Sequence, residues 1–127
     1  MDAATREAVR RRAGQKCEYC GLAAVDSPLI PLQIEHIVPR KHGGGDELSN
    51  LALACAECNL HKGPNLTGID PEDGAITRHF DPRADRWDEH FARQGVRIVG
   101  KTAVGRTTVR VLQLNTPGRL RVRFSSH

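Results

Sequence analysis

"CAECNLHKG", residues 55–63, decides the fold. Cys55 and Cys58 are two residues apart, a gap that lets both sulfurs reach one tetrahedral ion. The segment from Asn59 reads as a short helix closed by Gly63-Pro64, because glycine readily takes the turn past a helix end. A knuckle running into a helix is half of a four-thiolate site. The other half stands upstream in "CEYCG", residues 17–21, with the same spacing. The two matched pairs predict one Zn2+ held by Cys17, Cys20, Cys55 and Cys58. The competing readings are free buried cysteines or two local disulfides. Zinc bound in this way is worth roughly 10–16 kcal/mol in small peptides. Four thiolates leave no open position for water or substrate, so this ion is structural.

Composition makes such a staple useful. The chain has 127 residues, of which 39% are apolar and 4% aromatic. That predicts one small domain over residues 1–127 with a thin core. Lysine and arginine outnumber aspartate and glutamate 19 to 15, giving a net charge of +4. The excess leans toward polyanions. No run of eighteen apolar residues is present, so no membrane span is expected. The start, "MDAATREAVRRR", lacks the apolar stretch of a secretory signal. A cytoplasmic location is therefore expected, where cysteines bind metal more readily than they pair.

Between the knuckles, "LQIEHIV" (residues 32–38) reads as a strand ended by Pro39. "RKHGGGDELSN" reads as a loop and "LALA" as a second short strand. Upstream, "TREAVRRRAG" reads as a helix capped by Thr5 or Asp2 and stopped by Gly14. Downstream, residues 65–83 are rich in turn signals, with Asp-Pro twice and Asp-Gly once. "RADRWDEHFARQG" (83–95) reads as a helix with Trp87 and Phe91 on one core-facing side. "GVRIVGKTAVG" reads as a strand and turn. "RTTVRVLQLN" (106–115) suits either a strand or a helix. The expected class is α+β: a zinc-stapled β-hairpin and helix over about 14–66, an N-terminal helix, and a mixed extension over 67–127.

Glu35, His36, Asn50, Asn59 and His61 are the candidate site residues. A hairpin packed on the helix after Cys55 would bring His36 opposite Asn59. Carboxylate and amide oxygens suit a hard cation such as Mg2+ or Mn2+. An imidazole, with its ordinary pKa near ~6.5, suits a general base. Asn59 and His61 are alternatives for one ion, since residues two apart on a helix do not share a face. Strand alternation sends Glu35 and His36 to opposite faces unless the strand ends, twists or bulges there. Arg40, Lys41, His42 and Lys62 are candidate contacts to a nucleic-acid backbone, with a solvated basic face as the bland reading. Arg10 to Arg12 are weaker candidates of the same kind. His79 and His90 read as packing or surface residues, and His127 as a disordered terminus.

The ordered set "CEYCG … IEHIVPRKHGGGDELSNLALACAECNLHKG" resembles the HNH endonucleases, the ββα-metal nuclease group. The likeness covers about residues 14–66. The remainder looks like the tail of a bacterial subgroup of small stand-alone members. The resemblance implies a metal-dependent endonuclease that hydrolyses phosphodiester bonds of DNA, leaving 5′-phosphate and 3′-hydroxyl ends. It implies His36 as the general base and Glu35 as the acidic ligand of a divalent cation. It implies Asn50 as the residue that pins the loop and orients the histidine, and Asn59 as the last metal ligand. The cation would be Mg2+, Mn2+ or another divalent ion beside the structural Zn2+. DNA is the expected partner, with RNA also admitted. The alternative is a catalytically silent zinc module that binds nucleic acid or protein.

Overall fold

A computed structural model describes residues 1–126, so the expectation for His127 lies outside the described residues. The chain divides into two compact units, Met1–Pro64 and Asn65–His127. Each has its own short strands and helices, and the whole is a mixed α+β chain. No helix among the described residues is long and apolar enough to cross a membrane.

The first unit begins with helix α1, Ala3–Arg12. Asp2 caps it by accepting a hydrogen bond from the Thr5 amide at 2.8 Å. Gly14 takes a left-handed φ of +64° just past its end, which a residue with a Cβ adopts only at a cost. α1 buries Val9 and sends Arg12 to the Leu48 and Leu51 carbonyls, at 2.8 and 2.5 Å. Strands β1, Gln33–His36, and β2, Leu51–Ala54, pair antiparallel with Glu35 opposite Ala52 and His36 opposite Leu51. β1 is shorter than the 32–38 reading because its ladder is handed to one residue. The Ile37 amide donates to the Asn50 carbonyl, and the Val38 amide donates to the Asn50 side chain.

All four residues of β2 are buried. Its second edge is covered by the first knuckle: the Glu18 amide donates to the Leu53 carbonyl, and the Leu53 amide donates to Glu18 Oε2. Both faces of β2 are buried as well, so it needs no polar alternation and "LALA" can be apolar throughout. Helix α2, Ala56–Lys62, then starts at Cys55 and packs toward β1.

The second unit opens with the hairpin β3, Thr67–Ile69, and β4, Ile76–Arg78. Its turn contains the Asp-Gly signal, with Gly74 at φ +75°. Asp70 is buried there and accepts two bonds from Arg106, at 3.0 and 2.8 Å. The helix expected over 83–95 is corrected. Only Trp87–His90 forms a turn of helix, α3, and Phe91–Gln94 is strand β5, paired with β6, Arg97–Gly100. Pairing across the Gly95 turn outcompetes helical periodicity. Trp87 and Phe91 still meet, with ring centroids 5.0 Å apart.

The open reading of residues 106–115 resolves as helix over most of its length. α4, Ala103–Val111, is capped by the Thr102 hydroxyl. A Cβ on Gly105 would come within 1.9 Å of the His90 carbonyl oxygen, so only glycine admits this crossing. A final helix, α5, Pro117–Ser125, was not expected, though Thr116 and Pro117 are cap and first-turn residues in plain view. Its Arg119 and Arg123 are buried and donate to backbone carbonyls, Arg119 to Leu112 and Gln113 past the end of α4.

Candidate metal centre and hairpin site

Cys17, Cys20, Cys55 and Cys58 are buried, free of disulfides, and their sulfurs all lie within 4.8 Å of one another. The two knuckles are alike in detail. The Cys20 amide points at Cys17 Sγ at 3.5 Å, and the Cys58 amide at Cys55 Sγ at 3.4 Å. Burial pushes the Cys17 thiol well above its ordinary value. A buried thiol that resists losing its proton becomes a thiolate when a cation replaces that proton. The donor set, four sulfurs at tetrahedral reach with amides aimed at two of them, is placed to hold a zinc ion.

β1 has no bulge, so the strand alternates and Glu35 and His36 part company. Glu35 turns toward α2 and is 5% exposed. The Tyr19 hydroxyl donates to its Oε1. Lys62, itself 2% exposed, stands 3.2 Å from its Oε2. Lys62 also donates to the His36 and Ile37 carbonyls, at 3.2 and 3.0 Å. Burial raises the Glu35 carboxyl above its ordinary value, while Lys62 and Tyr19 pull it back. Asn59 lies one turn before Lys62 on α2, and its amide donates to Gln33 Oε1 at 2.5 Å.

A divalent ion shared by Glu35 and Asn59 does not fit this arrangement. Both Glu35 oxygens are engaged, and the Lys62 ammonium already supplies the positive charge. Lys62, expected at the surface as a backbone contact, is thus an interior cation.

His36 turns the other way, with its side chain 20% exposed. Its Nε2 lies 2.7 Å from Asp46 Oδ1. Arg40 donates to both oxygens of Asp46, at 2.8 and 3.1 Å. The hydrogen bond with His36 holds the Asp46 carboxyl below its ordinary value, with help from the Arg40 charge. The loop between them is fastened by Asn50. Its Oδ1 accepts from the Val38 amide at 2.8 Å, and its Nδ2 donates to the Val38 and Gly45 carbonyls at 3.0 and 2.9 Å. Gly44 runs so close that a Cβ there would lie 1.7 Å from the Val38 carbonyl oxygen.

The other candidates fall on separate faces. Arg40, Lys41 and His42 form a single exposed turn of 3-10 helix after Pro39. His42 Nε2 sits 3.1 Å from the Pro64 carbonyl. His61 pairs with Glu57 at 3.2 Å, one turn back on α2, and shares no partner with Asn59. Arg12, weighed as a nucleic-acid contact, is spent on β2 and its approach. Three residues in these networks were missed: Asp46, Tyr19 and Gln33. Gln33 was findable, since it shares a strand face with Glu35. Asp46 carried no periodic signal, because nine residues of loop separate it from His36.

Residues 17–65 match the model of the HNH endonuclease family. The matched segment runs from the first knuckle to just past the end of α2. The match assigns a nuclease-type function related to nucleic acid in general. Nothing matches among curated proteins or among solved structures.

Proposed function

We propose that this chain is an endonuclease that hydrolyses phosphodiester bonds of DNA, with His36 as its general base. The observation that carries the reading is the division of labour on β1. Glu35 is locked inside by Lys62 and Tyr19, while His36 is held at the open face by Asp46. A histidine kept accessible yet oriented is what proton transfer from water requires. His36 Nδ1 takes a proton from water, the water oxygen forms a bond to phosphorus, and the bond to the 3′ oxygen breaks. That oxygen is protonated from solvent, leaving 5′-phosphate and 3′-hydroxyl ends. Lys41 and His42, exposed on the turn after Pro39, are suited to hold the neighbouring phosphates.

The test is nicking of supercoiled plasmid by the zinc-loaded protein, in buffer alone and with added Mg2+ or Mn2+. Wild type is expected to relax the plasmid, and His36→Ala to lose that activity while binding the same DNA. Equal cleavage by the two proteins rules out His36 as the base. DNA binding without cleavage under every condition favours the silent zinc module instead.

A further inference from the structure

We infer that Asp46 is a positioning residue for His36: it fixes the imidazole as the tautomer protonated on Nε2, leaving Nδ1 as the basic nitrogen. This rests on the nuclease reading of His36 and deepens it.

The chemistry of the contact sets the direction. An ionised carboxylate can only accept hydrogen bonds. With Asp46 Oδ1 at 2.7 Å from Nε2, the proton of a neutral imidazole must therefore sit on Nε2. Nδ1 is then left with a lone pair, and it has no hydrogen-bond partner among the described residues. A ring with one nitrogen tied and the other open has a defined basic end. An untethered ring divides between tautomers and orientations.

Asp46 is itself held as an acceptor. Arg40 donates to both of its oxygens, so the carboxylate cannot rotate its charge away from the imidazole without losing two bonds. The main chain on either side is held too. One amide group, that of Asn50, reaches Gly45, the residue before Asp46, and Val38, two residues beyond His36. The loop and the strand end are thus fastened to each other at the point where Asp46 must meet His36. Gly44 permits that approach. Arg40, read from the sequence as a phosphate contact, is committed first to Asp46.

The tautomer of the His36 ring can be read without catalysis. Long-range 1H–15N correlation of the wild-type protein, followed to alkaline pH until the ring is neutral, should show His36 Nε2 protonated and Nδ1 bare. In Asp46→Asn, Arg40 retains the amide oxygen and turns the NH2 group toward Nε2, so the proton should move to Nδ1. Loss of the correct tautomer should lower kcat about 100-fold or more, within the range that general base catalysis supplies, with KM changed less than about threefold for a group that does not bind substrate. Asp46→Glu, which restores an acceptor, should recover part of kcat. Zinc content and melting temperature serve as controls for folding.

Wild-type His36 protonated on Nδ1 overturns the inference. So does Asp46→Asn with unaltered tautomer and kcat. If His36→Ala cleaves like wild type, the assignment of His36 as the base fails by itself, and the tautomer measurement still decides what Asp46 does.

Discussion

Lys62 Nζ stands 3.2 Å from Glu35 Oε2, and neither side chain exposes more than 5% of its surface. Two adjacent residues that looked like one catalytic pair are therefore parts of different machinery. Glu35 belongs to the seam between β1 and α2, where Tyr19, Lys62 and two main-chain carbonyls satisfy the group. His36 belongs to the loop.

Removing one member of that pair leaves the other charge buried alone. Glu35→Gln should lose about 3–5 kcal/mol of stability, the usual cost of breaking a buried ion pair. Urea unfolding followed by circular dichroism measures it. The double variant Glu35→Leu with Lys62→Met should regain only part of the loss: no charge is left buried alone, but the Tyr19 hydroxyl and the His36 and Ile37 carbonyls lose their partner. A Glu35→Gln protein as stable as wild type would mean that Lys62 finds other partners.

Cys17→Ser replaces one of four sulfurs that converge within 4.8 Å. Zinc binding of this kind carries roughly 10–16 kcal/mol in small peptides, more than a unit of this size can lose. The variant should purify with far less than one zinc per chain and lose its cooperative melt. Zinc content by mass spectrometry and a thermal scan check this directly. A wild-type melt with zinc retained would contradict a structural role for the four cysteines.

Gly44→Ala tests how tightly the loop is tied. The added Cβ would meet the Val38 carbonyl at 1.7 Å and Asn50 Nδ2 at 2.8 Å. Both groups belong to the fastening that faces His36. The expected loss is about 1–3 kcal/mol, typical of overpacking, together with plasmid cleavage. Gly43→Ala is the comparison, since its Cβ would meet nothing within 4 Å. That variant should suffer only the cost of φ +89°, about 1–2 kcal/mol, and keep its activity.

In the second unit, Asp70 has its pKa lowered from 3.8 to about 2, first by its hydrogen bonds from Arg106 and then by the Glu72 amide. A depressed folded pKa contributes stability above the unfolded value and loses it as pH falls through the folded one. Wild type should therefore lose stability relative to Asp70→Asn between about pH 4 and pH 2, with a constant difference above that window. Melting temperatures of the two proteins across this range give the curve.

The four-cysteine cluster and the two central strands were legible because their signals are local: a two-residue spacing, an apolar run, a proline stop. The end of α2 was legible from Gly63. Other features depend on partners far along the chain. Lys62 looks like any lysine at a helix end until the fold carries it against Glu35, 27 positions earlier. The Trp87 and Phe91 pair satisfied a helical spacing, yet it also suits a helical turn followed by a strand, and the hairpin with Ile98 decided between them. Asp46 sat in plain view among glycines, the composition least able to say where its side chain is aimed.

The absence of a bulge in β1 has a final consequence. With Glu35 directed to α2 and His36 to the loop, the two roles are set by parity along a four-residue ribbon. Inserting or deleting one residue there would exchange the sides, driving an imidazole against Lys62 and presenting a carboxylate to the loop. The segment should tolerate substitution at Gln33 far better than any change in length. Libraries that vary strand length would recover only even-numbered changes.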